Sequence, residues 1–351
     1  MSVYEDVEVE DEVSTEELDD SDVVYEIHTS GADFDVEGLV KRFERGDIYR
    51  PAFQRQFVWS HPQASKFIES ILLGLPIPSV FLYREEETNK LLIVDGLQRL
   101  TTLHAFVKGI FPSNERKFRL SNSLKSRFSG DAYEQLKDDD RRRIDDTIIH
   151  AFIIQQTAPR GQSNAVFHIF DRLNSNGTPL QPQEMRAAIY HGKYLELIEK
   201  LNKIKTWREI FGPVHKRSKD AELILRFFAL HFSSTAYSSP VNTFLNTHLQ
   251  SNRNLQQFDE KVLTDLFEST SQRVHSALGK LPFRLNRAMN VAYFDSFFVA
   301  VASNPNASTQ KIKIAYDGLP KNEMYFGAIN DSTSTKSSVE TRLQIADEYL
   351  S

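Results

Sequence analysis

Leu91-Leu92-Ile93-Val94-Asp95-Gly96-Leu97-Gln98-Arg99-Leu100-Thr101-Thr102-Leu103 decides how this chain is read. The apolar run Leu91 to Val94 stops at Asp95-Gly96, and a helix-like pattern starts at once. This predicts a strand, a tight glycine turn and a helix N-terminus. The first N–H groups of a helix lack intrahelical partners, and the helix dipole favours an anion beside them. Arg99, in the first turn, adds a planar cationic fork suited to phosphate. Asp95 and Gln98 also have the spacing of a capping box, in which the carboxylate bonds an early N–H and the glutamine reaches back. The two readings are compatible, because a capped helix start keeps other N–H groups for a phosphate. Beside a polyphosphate, Asp95 could also hold Mg²⁺ directly or through water. Gly96 suits a sharp turn in either case. Thr101 and Thr102 read first as helix residues.

Working outward, Ser79 to Tyr83 is a short β-rich run, and with Leu91 to Val94 it predicts a hairpin across a polar turn at 85–89. Gly109 ends the helix that follows Arg99. Asp35 to Arg45 predicts an amphipathic helix with Val36, Leu39, Val40 and Phe43 on one face. Residues 48–59 read as extended chain, given Pro51 and aromatics without a helical period. Within them Phe53, Phe57 and Trp59 read as core and Arg55 as a snorkelling cation; Arg55 among aromatics also suits stacking on a base. Ser60 caps a helix through Ile71 and Leu72, closed by Gly74 and Pro76. Residues 112–147 are polar and resist assignment, and Ile148 to Gln156 predicts a strand. From Ser163 the pattern is mainly helical, as at 163–173, 182–191, 193–204, 219–233, 258–278 and 287–303. The stretch Phe170-Asp171-Arg172-Leu173-Asn174-Ser175-Asn176-Gly177-Thr178-Pro179-Leu180 supplies turn chemistry between two helices. The expected organisation is α+β: an acidic disordered tail at 1–30, a mixed α/β domain at 31–160 and a helical domain at 161–351.

With 351 residues the chain is long enough for two domains. No apolar run approaches the roughly 20 residues that span a bilayer, and the acidic N-terminus lacks the apolar core of a signal peptide. The expected location is therefore cytoplasmic. Cysteine is absent, which excludes disulfides, thiolate metal sites and cysteine nucleophiles. The ten histidines are scattered, with no HExxH spacing, and there is neither a Walker-type loop nor a Gly-x-Ser-x-Gly elbow. The net charge of -6 hides an asymmetry. Residues 1–26 hold twelve of the 48 acidic residues and no Lys or Arg, so the rest carries 36 acidic against 42 basic residues. Such a tail reads as a solubilising segment or as a polyanion that competes with nucleic acid for the basic body. His215-Lys216-Arg217-Ser218-Lys219 is a local basic cluster.

Phe53-Gln54-Arg55 with Trp59, then Pro76-Ile77-Pro78, then Asp95 to Leu103, then Phe170, Leu173, Asn174, Gly177, Pro179, Leu180, Glu184 and Arg186, occur in an order that resembles the N-terminal domain family of GmrSD-type restriction enzymes. The resemblance implies a ParB/sulfiredoxin-like α/β domain joined to a helical domain, in proteins of phage defence that act on DNA, including modified DNA. Its Asp-Gly-Gln-Gln-Arg motif, linked to nucleoside triphosphate binding and hydrolysis, falls on Asp95, Gly96, Leu97, Gln98 and Arg99, with Leu97 in place of the first glutamine. Under the resemblance the catalytic candidates are Asp95, Gln98 and Arg99. The nucleotide-binding candidates are Gln54, Arg55, Gly96, Arg99, Thr101 and Asn174, and Asp95 is the metal candidate for Mg²⁺. The base of the nucleotide and the oligomeric state are not specified. Relatives often carry a His-Asn-His nuclease domain; here only His248 and His275 follow residue 235, so the resemblance implies either a separate nuclease or defence partner or a protein that does not cut DNA. A nucleotide-switched DNA-binding module without turnover remains an alternative, as does a metal-dependent nuclease using Asp95 and Glu184.

Overall fold

The computed structural model describes residues 26–50, 57–85, 88–158, 166, 169, 181–285 and 288–351. The chain divides into two compact units, with the division between Leu180 and Gln181.

The first unit is built on a five-stranded mixed sheet. Its strands are β1 (Glu26–Asp35), β2 (Ile48–Tyr49), β3 (Val80–Arg84), β4 (Leu91–Asp95) and β5 (Ile148–Ala158), in the order β1-β5-β3-β4-β2. β3 and β4 form the expected antiparallel hairpin. β5 runs parallel to β3, and β2 parallel to β4. Alternation along β5 puts Ile149, Ala151 and Ile153 inside and leaves Ile148, His150 and Phe152 exposed. On that outer face the rings of Phe152 and Phe81 stack with centroids 5.2 Å apart. Residues 26–30, expected to belong to the tail, lie in β1. Residues 26–35 pair with β5 along the whole strand, an edge position that tolerates their polar, exposed side chains.

Helices α1 (Val36–Glu44), α2 (His61–Leu72), α3 (Leu97–Lys108) and α4 (Asp138–Asp145) belong to the same unit. The starts of α1 and α2 follow from their caps. The Asp35 carboxylate accepts from Gly38 N, and Gln63 reaches back to accept from Ser60 N at 2.8 Å. Gly109, in the left-handed region at φ 74°, closes α3 as expected. Leu39, Val40, Ile68, Ile71, Leu100, Leu103 and Phe106 pack with the inner residues of the sheet into one core. Residues 112–147 fill a gap in that core with Phe118, Leu120 and Phe128, spaced too irregularly for any sequence period to reveal them.

The second unit is helical. It contains α5 (Pro182–Ile189), α6 (Lys193–Leu201), α7 (Lys205–Phe211), α8 (Lys219–Ser233), α9 (Val241–Ser251), α10 (Glu260–Leu278), α11 (Val291–Ser303), α12 (Thr309–Gly318), α13 (Glu323–Asn330) and α14 (Lys336–Leu350). α8 and α11 are buried along most of their lengths. Trp207, Phe227, Phe267, Phe294 and Phe298 pack between the helices as an aromatic cluster. Burying α8 and α11 also buries charge: Arg226 and Asp295 form an ion pair at 2.5 Å, with Arg342 at 3.7 Å from the same carboxylate.

Candidate functional site

The strand, turn and helix expected at 91–103 are present: β4 ends on Asp95, Gly96 is the N-cap, and α3 begins at Leu97. Gly96 sits at φ 97°, where side chains are disfavoured. A Cβ there would lie 2.5 Å from Val80 Cγ1, so the turn is pressed against β3 and only glycine fits. The capping box is not formed. Asp95 still belongs to β4, and its carboxylate accepts from Arg99 Nη2 at 2.5 Å instead of from an early helix N–H. Gln98 turns the other way: its Oε1 accepts from Val58 N at 3.0 Å and Trp59 N at 3.3 Å.

Arg99 has little freedom. Besides Asp95, its Nη1 donates to the carbonyls of Pro78 and Ser79 at 3.0 and 3.1 Å, and its side chain is only 14 % exposed. The guanidinium thus ties the residues before β3 to the corner where β4 becomes α3. The Asp95 side chain stays 40 % exposed. Leu97, the departure from the family motif, is buried in the core. Its side chain packs the helix down and does not face the open side of the corner.

Thr101 lies one turn beyond Gln98 and faces a cavity of about 610 Å³. α3 contributes Thr101, His104, Ala105 and Lys108 to its wall, α1 contributes Phe43, and Arg50 follows β2. Sequence reading found Thr101 but missed Arg50, His104 and Lys108. The signal was the spacing 101, 104, 105, 108 along α3, which marks one helical face. Gln54 and Arg55 lie outside the described residues. The described residues on either side of them reach α3 at two places: Arg50 at the cavity and Val58 at Gln98.

Asn174 also lies outside the described residues. Glu184 and Arg186, from the same sequence block, lie in the second unit and have packing roles. Glu184 caps α5 by accepting from Gln181 N at 2.7 Å, and it pairs with Arg217. Arg186 is fully buried, bonded to Glu222, Gln183, Asn242 and Asn246. The basic cluster at 215–219 is neutralised in part, since Lys219 approaches Glu222 as Arg217 does Glu184. Among the described residues no group of three His, Asp or Glu is placed to hold a metal.

Residues 36–191 match the family model described as GmrSD restriction endonuclease, N-terminal domain. This segment is a GmrSD N-terminal domain. The match starts at α1, takes in the whole corner from Pro78 to Thr101 and ends just past α5. No curated protein matches the chain. A GmrSD N-terminal domain relates the protein to DNA restriction and phage defence. No described helix is long and apolar enough to cross a membrane.

Proposed function

We propose that this is a restriction or phage-defence protein that binds a nucleoside triphosphate where α3 begins, hydrolyses it with Mg²⁺, and couples this to DNA. The observation that carries the reading is the rigidity of the GmrSD-domain corner. Glycine packing against Val80, the Asp95–Arg99 pair and two carbonyl bonds fix the helix start before any ligand arrives. Pre-organised dipoles of this kind bind and stabilise anionic charge without reorganisation. Arg99 acts in this reading by holding the corner. The charge of the phosphates falls to the start of α3, to Arg50 and, under the resemblance, to Arg55. Asp95 uses one carboxylate oxygen on Arg99, and the half-exposed carboxylate can give the other to Mg²⁺, whose remaining positions phosphate and water supply. Binding without turnover is the second reading, favoured by Leu97, which is core where the resemblance implies a glutamine.

The test is titration of ATP, GTP, CTP and UTP with Mg²⁺, followed by phosphate release with and without DNA. Binding of at least one nucleotide, weakened tenfold or more in Asp95→Asn when Mg²⁺ is present, is expected. Binding without phosphate release selects the second reading, and no binding of any of the four overturns both. DNA affinity should fall steeply with salt, because neutralising phosphates releases counterions. Removing residues 1–25 spares β1 and should tighten DNA binding if the acidic segment competes with DNA for the basic body.

A further inference from the structure

The cavity beside α3 has the size and chemistry of a nucleoside site. Its volume of about 610 Å³ lies within the range of about 300–1,000 Å³ usual for small-molecule pockets. Phe43, Ala105, Ile110 and Pro112 give it apolar walls that accept the flat face of a ring. Two permanent cations, Arg50 and Lys108, stand on its lining, and Glu44 holds Lys108 at 2.7 Å and lies 3.7 Å from His104. Arg50 has no ion-pair partner among the described residues. The Thr101 hydroxyl likewise has no hydrogen-bond partner among them. Burial lowers the proton affinity of His104, with Lys108 adding to this and Glu44 opposing it. Among its described residues the pocket therefore combines an apolar slot, a hydroxyl without a hydrogen-bond partner at Thr101, an imidazole at His104 and an unpaired cation at Arg50. It also lies on the face of α3 that continues from Gln98 through Thr101. His104 is eight residues beyond Gly96, about 12 Å along the helix axis.

We propose that this cavity seats the base and sugar of the nucleoside triphosphate whose phosphates dock at the start of α3. Phe43 and Ile110 flank the ring, Thr101 and His104 bond the sugar or base edge, and Arg50 faces the phosphate chain as it leaves the pocket. The assignment rests on the function proposed above and adds that the base is held by the protein, so the domain distinguishes a nucleotide from a bare polyphosphate.

The test compares calorimetric titrations of the full chain with the four nucleoside triphosphates and with inorganic triphosphate, all with Mg²⁺. The expected result is that at least one nucleotide binds tenfold or more tightly than triphosphate. Ile110→Trp, at an exposed lip position, should fill the slot and bring that nucleotide down to the level of triphosphate while leaving triphosphate binding unchanged. Thr101→Phe, on the α3 side of the cavity, should also lower the preference for that nucleotide over triphosphate. Equal affinity for nucleotide and triphosphate in the native chain would overturn the nucleoside seat and leave the phosphate site standing. Undiminished nucleotide preference in both variants would overturn it as well. A native chain that binds neither ligand overturns both assignments.

Discussion

Gly96 couples backbone conformation to packing at a single position, because its φ of 97° and its approach to Val80 both exclude a side chain. Gly96→Ala should cost about 2–4 kcal/mol, combining left-handed strain with overpacking, measurable as a lower urea midpoint. His248 makes a different kind of demand. It is buried between the Tyr194 hydroxyl at 3.0 Å and the Ser233 hydroxyl at 3.1 Å, and desolvation pushes its pKa from 6.5 down to about 4. The unfolded chain therefore takes up the proton first. The stability associated with neutral His248 is complete above pH 6.5 and is lost as pH falls from there toward 4. The loss should amount to about 3 kcal/mol, and in His248→Gln the stability between those pH values should be flatter. A profile unchanged by that substitution would show that His248 does not titrate with folding.

At the scale of elements, β1 holds the sheet by length alone. It pairs with β5 over ten residues, although no residue in it is fully buried. Removing residues 1–35 should therefore unprotect the amides of Ile149 to Ile153 in hydrogen exchange, whereas removing residues 1–25 should not. Much of this unit could be read from local pattern. The hairpin, α1, α2, α3 and β5 follow from periodicity and from the signals at Ser60 and Gly109. β1 could not be read that way: its sequence Glu26-Ile27-His28-Thr29-Ser30-Gly31 is polar, and what makes it a strand is a partner more than a hundred residues away. The site was legible in the same uneven way. The strand–turn–helix corner is a local feature, and sequence placed it correctly. The capping box failed because Asp95 stayed in β4 and met Arg99, and the destination of Gln98 depended on Val58, forty residues upstream. The Arg50 and Lys108 side of the cavity is tertiary and left only the spacing along α3 as a trace.

For the molecule as a whole, the helical unit carries a concentration of buried charge. Arg226 and Arg342 share Asp295, and all three are nearly inaccessible. Asp295→Ala would leave two buried guanidinium groups short of their carboxylate, at an expected cost of about 3–5 kcal/mol. Differential scanning calorimetry should show the helical unit melting earlier. Asp295→Asn, which keeps the shape but not the charge, should also destabilise it, and a transition unmoved in both variants would rule out an electrostatic role for the cluster. The chain also has just two tryptophans, and they are divided between the units: Trp59 follows the segment that Gln98 holds, and Trp207 is sealed in the aromatic cluster of the helices. Each half of the molecule thus contains its own fluorophore. With Trp207 replaced by Phe, the remaining tryptophan emission comes from a residue whose backbone N–H is bonded to Gln98 on the helix that opens the corner, so a ligand settling there can be followed by colour and lifetime without any attached dye.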